Sequence, residues 1–391
     1  MKYNFDKVID RSGTSAEKVE GLKHIWGRTD LIPLWVADMD FATAPFVTDA
    51  IRKRCENEVL GYTGKPDSYY NAIINWVKQR YDLIVTKEVI NFVPGIVPGI
   101  GMAMNCFTQK GDKVMIQPPV YHPFAWVTTR NERTLVINPL KWENGMYRMD
   151  LDAFREQIKG CKLFILCNPH NPGGVVWTEA ELRAIADICY DEKVLVFSDE
   201  IHADLTLPPH THRPFATVSE KARMNSVTFM SPSKAFNMPG LSASHALIFN
   251  EDLRKRFRIY MDASELDMGH VFAFLSVEAA YSHGTEWLDQ CLAYIQGNID
   301  FVDEFLKKHA PKIKAIRPEA SYLVWLDCRE LELSQKDLNE FFVDKAHLAL
   351  NDGEMFGKEG IGFMRLNVAS PRCIIEKAMK QLADAYQLYI K

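Results

Sequence analysis

The sequence predicts an α/β protein: a large domain with a mostly parallel sheet sandwiched by helices, joined to a smaller α+β domain. Three observations predict it. Short apolar runs at 113–117, 134–137, 162–167, 194–197, 226–230 and 246–249 read as buried strands, and helix-patterned stretches such as 152–158 and 179–190 separate several of them. That alternation argues for parallel strands covered on both faces. Second, most residues with evident chemical use stand just past the end of one of these runs, where open α/β sheets bind ligands. Third, the pattern changes at Gly284. A long helix is expected over 287–308, with Leu288, Leu292, Ile295, Ile299, Val302 and Leu306 at near-helical spacing. Strand-like runs at 320–326 and 362–368 and a terminal helix over 373–388 come after it. The large domain is therefore expected at 46–283, and the small one at 1–45 with 284–391.

The bulk numbers narrow the function. The chain has 391 residues, 25% of them charged and 47% hydrophobic, an ordinary soluble composition. A net charge of -5 gives no electrostatic reason to expect nucleic acid. The start, MKYNFDKVIDRSG, lacks an apolar signal core, and no apolar run approaches membrane-spanning length. Eight cysteines are scattered, with no C-x-x-C pair. They read as reduced residues of a cytoplasmic protein. His210-Thr211-His212 lies in a Pro-rich loop without a cysteine or carboxylate cluster, so no metal site is expected. No internal repeat or low-complexity segment is found.

In chain order, residues 1–45 read as an arm. Its stretch Trp35-Val36-Ala37-Asp38-Met39-Asp40-Phe41 turns from apolar to polar, as a half-extended segment beside a cleft does, or an edge strand with solvated acids. A helix is expected over 45–57, then Tyr62 between two glycines, then a helix over 68–81 with Ala72, Ile73, Trp76 and Val77 on one face. The glycine-rich run 93–101 opens an apolar helix over 102–107. Such a turn offers N–H groups and a positive dipole end to an anion, although packing turns are commoner. Tyr121, set among prolines, can stack on a flat ring or simply fill its loop. Asn168-Pro169-His170-Asn171-Pro172-Gly173-Gly174 is a proline-fixed loop with amide donors. Asp199 ends a buried strand and needs a cationic partner; His202 stands three residues on.

The run Ser231-Pro232-Ser233-Lys234-Ala235-Phe236-Asn237 closes the set. A lysine at the end of a buried strand loses its proton easily and then attacks carbonyls. The plainer reading is a lysine solvated in a turn. Arg365, mid-strand in Met364-Arg365-Leu366-Asn367, can fork onto a carboxylate or be a surface arginine.

The run 231–237 resembles the lysine motif of the fold-type I, pyridoxal-phosphate (PLP) dependent enzymes of the aminotransferase class I/II superfamily. The run 168–174 resembles that family's Asn-Pro-x-Asn-Pro-Thr/Gly-Gly signature, and the motifs keep family order from about Trp35 to Arg372. Trp35 to Phe41 is similar to the cystathionine β-lyase (cysteine C–S lyase) branch, which His202 and Asn237 also fit.

The resemblance implies the PLP-dependent transferase-like fold and a set of roles. Lys234 carries PLP and later removes the substrate Cα proton. Ile96 and Val97 backbone amides, with Ser231 and Ser233, hold the phosphate. Tyr62 reaches the neighbouring subunit's phosphate, so a homodimer with shared active sites is implied. Tyr121 lies on the pyridine face, and Asn171 donates to its O3′. His202 takes the place of a tyrosine that bonds O3′ in many aminotransferases. Asp199 pairs with the ring nitrogen. Val36 and Ala37 backbone and Arg365 bind the substrate carboxylate. The chain departs from the family at Ser242, where many members carry a phosphate-gripping Arg or Lys.

The implied activity is C–S β-lysis of cystathionine or cysteine-type amino acids to pyruvate, ammonia and a thiol. The alternative is an amino acid aminotransferase. A PLP-binding regulator with a DNA-binding domain would need a helix-turn-helix ahead of Trp35, and the residues there are neither basic nor so patterned. Substrate specificity is expected from side chains around 262–270.

Overall fold

The computed structural model describes residues 3–390. Seven strands form the main sheet: Ile90–Val93 (β1), Lys113–Ile116 (β2), Thr134–Ile137 (β3), Cys161–Cys167 (β4), Leu195–Asp199 (β5), Ser226–Met230 (β6) and Ser244–Leu247 (β7). Their spatial order is β1-β7-β6-β5-β4-β2-β3. Strands β3, β2, β4, β5 and β6 pair in parallel; β7 runs against both β6 and β1. The central strands are buried at nearly every position, which is why they read as continuous apolar runs.

Local signals set the helix ends. Thr178 and Glu181 form a reciprocal capping box that starts Glu179–Asp191. Asn250 caps Glu251–Asp262, and the His270 ring accepts from Ala273 N to start Val271–His283. The helix Ile96–Phe107 begins six residues before the expected 102, because Gly95 (φ 134°) turns the chain where another residue would be strained. The 25-residue helix Thr285–His309 buries the six predicted apolar positions and leads to a second sheet.

That sheet comprises Lys314–Ile316 (β8), Leu323–Asp327 (β9), Asn351–Asp352 (β10) and Phe363–Asn367 (β11) in the order β8-β9-β11-β10, all antiparallel. The final helix Arg372–Tyr389 packs on Thr285–His309. The arm is tied to this half: Ile32–Pro33 pairs in parallel with Leu348–Ala349.

Several elements escape the sequence patterns. They are β1, the arm helix Glu17–Trp26, the hairpin of Lys141–Glu143 with Met146–Arg148, and the helices Glu251–Asp262 and Val271–His283. The last of these is buried over most of its surface, so its sequence shows no polar face to betray a period. His212 is buried on Glu200 (2.8 Å). Among the described residues no three His, Cys, Asp or Glu converge as metal ligands, and no helix is long and apolar enough to cross a membrane.

Candidate active site

The carboxyl ends of the parallel strands open on a cavity of about 200 Å³. Asp199 at the end of β5, Asn171 beyond β4, Tyr121 beyond β2 and Lys234 beyond β6 line it, with Gly95 and Ile96 at the start of the helix Ile96–Phe107. Parallel pairing brings these residues together, since β2, β4, β5 and β6 all stop at one edge. Ile201, His202, Ser233 and Ser242 complete the wall.

Charge in this cavity is poorly paired. The Lys234 amine donates to the Ala37 carbonyl at 2.6 Å. Burial lowers its pKa to about 8; Arg365 pushes the same way, while Asp38 and Asp199 oppose. Burial raises Asp199 to about 7, with nearby Glu200 adding to the rise. The Ile201 amide, 3.1 Å from Asp199 Oδ1, and Lys234 pull it down only in part. His202 is held down to about 3, mainly by burial, and its Nδ1 has no hydrogen-bond partner among the described residues.

The second sheet stands behind this lining: Arg365 is not itself on the cavity wall but is joined to it through Asn171. Arg365 in β11 is 3% exposed. It donates from Nη1 to Asn171 Oδ1 (3.0 Å), and from Nη2 to Asn351 Oδ1 (2.6 Å) and the Trp35 carbonyl (3.2 Å). Its Nε has no partner among the described residues, and its guanidinium stacks over Phe356 at 4.8 Å. Burial lowers its pKa to about 10. A buried cation held by neutral acceptors is a seat for an incoming anion.

Asn367, two residues on and on the same side of the strand, donates to the carbonyls of Val36 and Asp38, each at 2.7 Å. The Arg-x-Asn spacing therefore joins the buried guanidinium of Arg365 to the arm segment beside it. Tyr322 donates to the Ala37 carbonyl at 2.9 Å.

Asn237 holds the same segment from the other side. It accepts from Met39 N (3.0 Å) and donates to the carbonyls of Met39 (3.0 Å) and Phe41 (2.7 Å). Its own carbonyl accepts from Thr43 (2.7 Å). Arg11 and Lys18 lock Asp38 and Asp40, with Arg11–Asp38 at 2.6 Å and Lys18–Asp40 at 2.8 Å. Sequence patterns do not disclose these partners; Asn237 stands in the lysine motif, but without an assigned contact. Each of these bonds joins segments distant in sequence.

Not every expected residue reaches the cavity. Ser233 lines it, but Ser231 lies behind, its hydroxyl donating to the Ala243 carbonyl (2.7 Å) and lying 2.9 Å from Ser233 Oγ. Ala37 lines it, while Val36 does not. Val97 lines it with Ile96. Tyr62 is 99% exposed and is not part of its own chain's cavity.

The donor set fits pyridoxal phosphate. Asp199 is a buried acid without a full cationic partner, as a ring N–H requires. Asn171 has given its oxygen to Arg365, which leaves its NH₂ for a phenolate. The helix start at Ile96 and Val97, beside Ser233, suits a phosphate. Lys234 is a reachable amine at the same cavity.

Comparison with known proteins agrees. Residues 29–382 match the aminotransferase class I and II family. A Bacillus subtilis relative, cystathionine beta-lyase PatB, is 38% identical over 98% of this chain and 99% of its own. The structure of cystalysin from Treponema denticola, which contains pyridoxal 5'-phosphate, superposes with a TM-score of 0.96 at 33% identity, covering 100% of both chains. The PLP-bound C-S lyase of Staphylococcus hominis superposes with a TM-score of 0.91 at 35% identity over 98% of each chain.

Proposed function

The chain belongs to the aminotransferase class I and II family, and from that premise we propose that it is a PLP-dependent carbon–sulfur β-lyase. It converts cystathionine or cysteine-type amino acids, with water, to pyruvate, ammonia and a thiol. The observation that carries this reading is Lys234: a part-buried amine on the same cavity wall as Asp199, its pKa lowered to about 8 by desolvation, with Arg365 close enough to add to that fall.

Pyridoxal phosphate, when bound, would supply an electron-accepting ring. Everything else falls to the chain's own residues. Ile96 and Val97 N–H groups and the Ser233 hydroxyl hold the phosphate, and Ser231 steadies Ser233. Tyr121 covers the ring face. Asp199 keeps the ring nitrogen protonated, and its raised proton affinity falls once a cation lies against it. Asn171 donates to the phenolate oxygen, with His202 beside it. Arg365 grips the α-carboxylate, next to the Val36–Ala37 backbone.

Lys234 removes the Cα proton; with a pKa of about 8 roughly a tenth of it is neutral at pH 7 and about half at pH 8. The C–S bond then breaks with its electron pair on sulfur, and the protonated Lys234 is the acid available to the leaving group. The exposed Tyr62 serves the phosphate of a partner subunit, which makes the working unit a homodimer. The scattered free cysteines support a cytoplasmic setting.

The test is pyruvate release from L-cystathionine. Wild-type protein is expected to release it without any 2-oxo acid, and Lys234→Ala is expected to lose roughly 10⁴-fold in kcat. Product formation that depends on added 2-oxoglutarate overturns the lyase reading in favour of an aminotransferase.

A further inference from the structure

The Ala37 carbonyl is where the cavity lining meets the residues that back it from the second sheet. It accepts from Lys234 Nζ at 2.6 Å and from the Tyr322 hydroxyl at 2.9 Å. Its neighbours, the carbonyls of Val36 and Asp38, are both taken by Asn367. Three successive carbonyls are thus fixed from the second sheet and its approach, and only the middle one faces the lysine. Tyr322 is fully buried, its own carbonyl accepts from Val368 N (2.9 Å), and burial keeps its phenol protonated well past neutrality.

We propose that Tyr322 is a positioning residue for Lys234: its hydroxyl fixes the Ala37 carbonyl as the berth of the lysine amine whenever that amine is free. A base that leaves the cofactor during each turnover has to be caught in one place, or its return and its proton transfer become slow. Two donors on one oxygen do this without adding charge. The charged and titratable groups around the amine are Asp38 from the arm, Asp199 and His202 from the end of β5, and Arg365 from β11. Tyr121 and Cys167 also line the cavity, and like His202 and Tyr322 they are uncharged near neutral pH. This inference rests on the lyase reading for its catalytic consequence, but not for its geometry.

The experiment uses the full-length chain in two forms. In cofactor-free protein, the pH dependence of Lys234 modification by trinitrobenzenesulfonate, followed by peptide mass, reports the amine's proton affinity. The wild-type midpoint is expected near 8. Tyr322→Phe keeps the packing and loses one donor, so the midpoint is expected to fall by about half a unit as the berth loosens. In holoenzyme, kcat is expected to fall about tenfold with KM within about twofold. Tyr69→Phe, which removes a buried hydroxyl with no partner among the described residues, is expected to change neither. Asn367→Leu releases the flanking carbonyls and is expected to move the midpoint the same way, which guards against a folding defect in the first variant. An unmoved or raised midpoint in Tyr322→Phe, or a rise in KM with kcat intact, overturns the proposal. Absence of pyruvate release in wild type sinks the lyase reading instead and leaves the labelling result standing.

Discussion

Two groups of charge, one half-buried around the buried Lys18 and one enclosed at the cavity, are used in opposite ways in this protein. In the arm, Arg11 and Lys18 meet Asp38 and Asp40 as a closed quartet, with Ser370 adding a bond to Asp40 at 2.9 Å. At the cavity and just behind it, the part-buried Lys234 and the buried Asp199 and Arg365 have no direct ion pair among the described residues. The quartet is paired within the fold, with only Asp38 Oδ1 lacking a hydrogen bond among the described residues, so it serves position. The cavity trio is unsatisfied, so each member is shifted by burial toward its neutral form and waits for a partner from outside. Charge that is already matched fastens a segment; charge that is not matched binds and reacts.

Breaking the quartet is expected to have the largest effect. Asp40→Ala leaves the fully buried Lys18 with only Asp38 at 3.7 Å. Loss of a buried partner costs about 3–5 kcal/mol, readable as a lower Tm and denaturation midpoint. Relieving the cavity is expected to do the reverse. Asp199 ionises near 7 in the folded chain against 3.8 normally. The unfolded chain therefore gives up this proton first, and stability contributed here falls as pH rises from about 4 to 7. Cofactor-free Asp199→Asn is expected to be more stable than wild type at pH 8, by on the order of 3 kcal/mol, with the gain gone by about pH 4. A gain at pH 4 equal to that at pH 8 contradicts the assignment. The smallest effect is at Arg365. Arg365→Lys keeps the charge but loses the fork, and KM for amino acid substrates is expected to rise roughly 30-fold with little change in kcat. A fall in kcat alone would mean that Arg365 does not seat the carboxylate.

The same contrast explains how much the sequence discloses. Lys234, Asp199, Asn171 and Tyr121 are legible because each stands after a short apolar run, and strand plus turn is a local pattern. The parallel core is legible for the same reason. Strand β7 is visible as a run but its antiparallel sense is not, since direction is set by the connection between strands, and β1 is hidden as a short run before a glycine turn. The quartet, Tyr322 and the four bonds of Asn237 are not legible. Asn237 and Met39 are 198 residues apart, and Ala37 and Tyr322 are 285 apart. No periodicity links such partners; only the folded chain does. Ser231 shows a further limit, because alternation along a loop does not say which of two serines faces inward.

Asn367 and Arg365, near the carboxyl terminus, hold Val36, Asp38 and Trp35, near the amino terminus. Residues 35–38 beside the pocket are thus held by residues about 330 positions later in the chain. During synthesis, a nascent chain that already has its whole seven-stranded sheet still lacks Arg365 and the clasp on the early segment. A chain cut ahead of Phe363 is expected to keep all seven strands of the main sheet while losing every bond that Arg365 and Asn367 make to residues 35–38.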